Sequence, residues 1–173
     1  MDDQYLYFFQ SVIEGFKSGK KLVVFLLGKE DKEEFYNHFI HVYLNISIFD
    51  LFENTLSDED KTKVQNLKIE MDDRLFIYCG KRNIKEIADT LKRYFEVNRY
   101  PDQTEKVIFD NLLYIQETEK DTLADIVLKL QKIYSFYGVP FEIFGVNRDP
   151  ARMYSANDDL NYGHHYLKSL LKD

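Results

Sequence analysis

Asp110 is the side chain best placed to do chemistry. It closes Lys106-Val107-Ile108-Phe109-Asp110, an apolar run that ends on a carboxylate. A second apolar run, Pro140-Phe141-Glu142-Ile143-Phe144, leads into Gly145-Val146-Asn147-Arg148-Asp149-Pro150. A helical pattern over 121–137 separates the two. Strand, crossover helix, strand is a right-handed βαβ unit in nearly every case. Ligands in such sheets sit beyond the C-terminal strand ends. Asp110 and the turn over 145–148 fall in that position. A carboxylate there could hold Mg²⁺ or a metal-bound water. It could equally cap a turn or the following helix.

Other candidates are weaker. Glu34, His38 and His41 could share one helix face, since residues three and four apart are neighbours, and could there meet a metal. The local sequence supplies no third fixed His or Cys, so a solvated helix face is expected and no metal is assigned. His164-His165 are adjacent, point apart on a helix, and read as surface residues. Cys79 ends a strand with no base in the local sequence, and a packed thiol is expected. No phosphate loop of the form G-x-x-x-x-G-K-S/T occurs in the 173 residues, and Gly28-Lys29-Glu30 is not one.

The elements that must position these groups follow from hydrophobic spacing. Leu6, Phe9, Ile13 and Phe16 predict a helix over 4–18 with one apolar stripe. Gly19 stands where a helix C-terminus favours a left-handed residue. The aromatics Tyr5, Tyr7, Phe8 and Phe9 are too many for one buried face; some cover the sheet or meet another protein. Residues 22–27, Leu-Val-Val-Phe-Leu-Leu, are apolar on both faces, as in a parallel strand covered from both sides. A helix starts near Asp31, with acidic residues in its first turn. Residues 46–53 are apolar but ambiguous. Ser57-Asp58-Glu59-Asp60 caps a short polar helix to about Leu67. Residues 74–79 form the next strand. Asn83-Ile84-Lys85-Glu86 matches a capping box and opens an amphipathic helix on Ile84, Ile87, Ala88, Leu91 and Phe95. Residues 98–104 read as a loop. The helix over 121–137 carries Leu123, Ile126, Leu130 and Tyr134, and residues 158–171 suit a last helix. Helices and strands alternate throughout. The expected fold is α/β, a mostly parallel sheet of about four strands with helices on both faces, in one domain over 1–173.

Bulk composition narrows the function. The formal charge of −7 disfavours broad contact with phosphate backbones, which needs Lys and Arg to displace counterions. The single Cys79 rules out an internal disulfide and suits a reducing compartment. Met1-Asp2-Asp3 lacks the basic start of a signal peptide. No apolar run approaches the ~20 residues of a membrane span. The expected location is the cytoplasm, or the nucleus of a eukaryote.

The ordered segments resemble the RecA-like ATPase core, most closely replicative helicases of the DnaB type. In that family a helix follows the phosphate loop, and a strand preceded by Gly-Lys-Lys comes next. Residues 4–18 look like that helix, and Gly19-Lys20-Lys21-Leu22-Val23-Val24-Phe25-Leu26-Leu27-Gly28 looks like the strand. Residues 75–78 followed by Asn83-Ile84-Lys85-Glu86-Ile87 are similar to the family's I-D-D…T-I-E-E-I passage. Val107-Ile108-Phe109-Asp110-Asn111-Leu112-Leu113-Tyr114-Ile115 is similar to its Walker B run, V-I-I-D-Y-L-Q-L-I. Residues 123–144 resemble its L-K-x-L-A-K-x-x-x-V-P-V passage, and Phe144-Gly145-Val146-Asn147-Arg148 is similar to the sensor motif S-Q-L-N-R. The resemblance covers nearly the whole chain; order and spacing carry it.

The departures from that pattern are informative. On the resemblance, the strand before the phosphate loop is absent and Met1-Asp2-Asp3 stand near the loop's Lys-Ser/Thr, where negative charge would repel a triphosphate. The family's catalytic glutamate falls on Gly28, with Glu30 close but displaced. The sensor glutamine falls on Gly145, beside Asn147 and Arg148. Asp110 alone keeps its Walker B identity. Phosphoryl transfer depends on positioning and charge neutralisation, so the resemblance implies a truncated, inactive ATPase fold with no cofactor. It further implies that Phe141, Ile143 and Phe144 lie on an open sheet edge, a pairing template, covered by the chain's own termini, a homodimer contact or a protein partner. That partner would be a helicase, recombinase or other replication factor, and direct nucleic-acid binding is not expected. Two rival readings stand beside this one. One is a nucleotide-binding enzyme with an unconventional Mg²⁺-dependent site around Asp110, Glu30 and Arg148. The other is a generic α/β interaction module.

Overall fold

The four apolar runs become four parallel strands. The computed structural model describes residues 3–28, 31–80, 82–98, 101–111, 114–115 and 123–144. Helix α1 (Asp3–Lys17) leads into β1 (Lys21–Leu26). Helices α2 (Lys32–Leu44), α3 (Ile48–Glu53) and α4 (Asp58–Arg74) then lead to β2 (Leu75–Cys79). Helix α5 (Ile84–Asn98) precedes β3 (Thr104–Phe109), and α6 (Leu123–Tyr137) precedes β4 (Phe141–Ile143). The sheet order is β2-β1-β3-β4, with every pairing parallel. The expected α/β architecture is present, with helices on both faces.

Alternation along β1 divides the core in two. Leu22, Val24 and Leu26 pack with Phe8, Phe9, Phe16, Phe35, Phe39 and Met71 of α1, α2 and α4. Val23, Phe25 and Leu27 pack with Ile87, Leu91 and Leu130 of α5 and α6. Both strand faces are buried, which is why the sequence of β1 shows no polar alternation. Phe8 and Phe9 are fully covered while Tyr7 is 62% exposed, so the aromatics of α1 divide between the core and the surface.

Local signals account for most boundaries. Gly19 ends α1 at φ +83. Asp31 Oδ1 accepts from the Glu34 N–H at 2.8 Å, capping α2. Asn83 and Glu86 form the reciprocal capping box, at 2.9 and 3.2 Å. Three boundaries differ from expectation. Helix α4 continues seven residues past Leu67 to Arg74, because Met71 extends the buried Val64–Leu67 stripe by one more turn. Residues 48–53 resolve into the short helix α3. Strand β3 begins at Thr104, inside the expected loop, where the Thr104 and Tyr94 hydroxyls meet at 2.9 Å. The helix expected over 158–171, with His164 and His165, lies outside the described residues.

Arg74 explains why α4 needs its last turn. Its guanidinium donates to the carbonyls of Phe16 and Lys20, lies 4.1 Å from the Phe16 ring centroid and pairs with Glu70. A cation at the C-terminal end of α1 satisfies carbonyls that the helix leaves open and complements its dipole. We expect Arg74→Met to cost about 1–2 kcal/mol, a drop of roughly 2–8 °C in melting temperature for a domain of this size. Arg74→Lys should recover only part of it, because an ammonium lacks the planar fork. Equal melting temperatures for wild type and Arg74→Met would show the contact to be idle.

Candidate functional site

The strand order reverses direction after β2. The chain moves outward from β1 to β2, then crosses β1 to reach β3 and β4. With one crossover hand, this places α2–α4 on one face and α5–α6 on the other. The reversal makes the C-terminal ends of β1 and β3 the switch point, where α/β sheets bind ligands. Asp110 and Gly28 meet there.

The Asp110 carboxylate is turned onto the backbone of β1's end. Oδ1 accepts the Leu27 N–H at 2.7 Å, and Oδ2 accepts the Gly28 N–H at 3.1 Å. Its own N–H donates to the Phe25 carbonyl at 3.0 Å. The side chain thus ties together two strand ends 82 and 83 residues apart in sequence. Asp110 is 6% exposed and Asn111 4%. Burial pushes the Asp110 carboxyl up to about 6, against the opposing pull of the backbone N–H groups of Leu27, Gly28, Asn111 and Asp110 itself.

The chain itself closes over this point. Arg82, just after β2, and Ile115, just after β3, form a parallel bridge. Strand β1 lies between β2 and β3, so the bridge joins its two flanking segments beyond the end of β1. A Cβ built on Gly28 would come within 3.2 Å of Asp110 Oδ2 and 3.6 Å of the Tyr114 ring. The approach to the carboxylate is tighter than ordinary van der Waals contact, so glycine suits a position pressed between a carboxylate and a ring. Arg82 lies across the Tyr78 ring at 6.0 Å, and its Nη2 donates to the Cys79 carbonyl at 3.3 Å.

Asp110 and Gly28 are therefore brought together, as their positions in sequence suggested. Glu30, Gly145, Asn147 and Arg148 lie outside the described residues. Phe141, Ile143 and Phe144 lie on or just after β4, the last strand of the described sheet. Their side chains are 5%, 6% and 9% exposed. Phe141 sits 5.6 Å from the Phe109 ring and Phe144 5.8 Å from the Phe8 ring. These rings belong to the core, and only the backbone of β4 is left to serve as an edge.

The histidines of α2 act locally. His38 Nδ1 lies 2.9 Å from the Glu34 carbonyl and His41 Nδ1 2.6 Å from the Ile46 carbonyl. Among the described residues no group of three or more His, Cys, Asp or Glu could hold a metal ion. No helix among them is long and apolar enough to cross a membrane.

A second polar cluster was not legible as a site. Lys106 Nζ lies 2.6 Å from Glu142 Oε2 and 2.6 Å from Ser11 Oγ, and Ser11 Oγ donates to Glu142 Oε2 at 2.6 Å. It joins β3, β4 and α1 at 16% and 21% exposure of the charged side chains. Gly15 leaves room for it, since a Cβ there would meet Lys106 Cε at 3.0 Å. The available signal was one opposite charge in each of two neighbouring strands. Register puts Ile108 opposite Glu142, so Lys106 and Glu142 are diagonal neighbours on one face.

Comparison with known proteins agrees with this geometry. No family model matches the chain, and no curated protein matches it. Among solved structures, the ATPase domain of a DnaB-like helicase superposes with a TM-score of 0.62 over 82% of this chain, at 12% identity. The match spans 53% of that chain, about half its length. At such low identity the likeness is one of fold: the chain has the parallel α/β core of a RecA-like helicase ATPase domain.

Proposed function

We propose that this chain is a single RecA-like domain that does not hydrolyse nucleotide and works by binding protein, as an accessory or regulator of replication or recombination machinery. One observation carries the reading. The carboxylate expected to serve a metal is spent on the Leu27 and Gly28 N–H groups, beneath the Arg82–Ile115 bridge. Asp110 serves as a clamp between β1 and β3. Gly28, where the family pattern has its catalytic glutamate, leaves little room for a longer side chain. The acidic chain, at −7, also suits a protein surface better than a phosphate backbone.

Thermal unfolding in increasing MgATP tests this reading, because any ligand of the folded state must stabilise it. We expect no shift up to millimolar nucleotide. A ligand at a hundred times its dissociation constant would stabilise by about 2.7 kcal/mol, or roughly 5–10 °C here. A saturable shift of that size, abolished by Asp110→Asn, would overturn the proposal in favour of a Mg²⁺-dependent nucleotide site.

A further inference from the structure

We infer that helix α3 is a docking site for a protein segment that carries apolar side chains among lysines and arginines. This rests on the protein-binding part of the function proposed above and names a surface for it. Helix α3 is built inside out. Leu51 and the following Leu56 pack against the core, yet Phe49 and Phe52 are 77% and 57% exposed. They stand three residues apart, so both rings rise from neighbouring positions on the outer face.

The helix is held firmly. His41 fixes the link from α2 through the Ile46 carbonyl at 2.6 Å. Asn45 and Asn54, both left-handed at φ 54, end α2 and α3. The Asp50 carbonyl accepts from the Thr55 N–H at 3.1 Å, and its carboxylate from the Thr55 hydroxyl at 2.8 Å. Two aromatic rings on a fixed support lose little freedom on binding, and exposed aromatics of this kind serve as interface anchors.

Charge selects the occupant. From Ile48 to Lys63 the chain carries Asp50, Glu53, Asp58, Glu59 and Asp60 against Lys61 and Lys63. Asp58 and Glu59 remain fully and largely exposed, at 102% and 79%. Such a rim repels nucleic acid and anionic lipid. A second copy meeting the first about a two-fold axis would set the same carboxylates against each other. A segment with basic residues around an apolar centre matches both features.

Fluorescence anisotropy on the full chain tests this with three labelled probes: an amphipathic Leu/Lys peptide, its Leu/Glu counterpart, and phosphatidylserine vesicles. We expect the Leu/Lys peptide alone to bind. Phe49→Ser with Phe52→Ser should weaken it at least tenfold, and Asp58→Asn with Glu59→Gln several-fold. Circular dichroism should show both double variants folded, because the replaced side chains are exposed. The inference is overturned if the peptide does not bind, or binds the phenylalanine variant equally well. It is also overturned if vesicles bind, or if the wild type dimerises through this face in sedimentation. None of these outcomes bears on nucleotide binding, so failure here and failure in the MgATP titration are distinguishable.

Discussion

Between pH 4 and pH 7 the wild-type chain will lose about 3 kcal/mol of unfolding free energy that an Asp110→Asn variant keeps. The carboxyl titrates near 3.8 when free and at about 6 in the folded chain. The folded state therefore holds the proton more tightly than the unfolded state. Stability from this group is fully present below about pH 4 and is lost as pH rises through about 6. A rise of about two units corresponds to roughly 3 kcal/mol. Other carboxylates contribute equally to both proteins, so the difference isolates Asp110. Urea unfolding at four or five pH values measures it. A difference that is flat, or grows with pH, would mean that the N–H bonds outweigh burial. Asp110→Ala probes the clamp itself: it leaves the Leu27 and Gly28 N–H groups without their acceptor, at a cost of about 2–4 kcal/mol near pH 5.

Glu142→Gln should destabilise the chain by about 2–4 kcal/mol, the largest effect expected of a single residue outside the clamp. It leaves the Lys106 ammonium, 16% exposed, with only Ser11 Oγ and an amide in place of a carboxylate. Breaking a buried ion pair costs more than replacing both partners, because the surviving charge stays desolvated. Lys106→Met with Glu142→Leu and Ser11→Ala should therefore recover most of the loss. The consequence falls on β4, which has only three strand residues and is anchored by this pair to β3 and α1. A double-mutant cycle in urea gives the coupling between Lys106 and Glu142. If the single and double changes are additive, the pair does not act as a unit and this account of β4 fails.

The two effects describe one design. Both concentrate buried charge on β3 and its immediate neighbours. Asp110 holds the C-terminal end of β3 to β1. Lys106 holds the other half of the strand to β4 and α1. The carboxylate that in a hydrolase would face substrate is here engaged in holding strands together, which is why a protein-binding role is the reading we favour.

Much of this fold was determined by the sequence by itself. A run such as Leu22-Val23-Val24-Phe25-Leu26-Leu27 has no stable place except inside a sheet covered on both faces. The Asn83–Glu86 box satisfies orphan N–H groups locally, so it marks the start of α5 without help from elsewhere. The alternation of such runs with helices implied a parallel α/β sheet, and the order of motifs implied the RecA-like core. Asp110 at the end of a strand was legible for the same reason. What Asp110 binds was decided only by the tertiary structure, because its partners are backbone N–H groups 82 and 83 residues away, and a backbone donor leaves no mark in the residue types. The diagonal pairing of Lys106 with Glu142 depends on strand register. The burial of Phe141 and Phe144, and the exposure of Phe49 and Phe52, are equally tertiary. Hydrophobicity states what a side chain would gain from burial, and only packing decides which of them receives it.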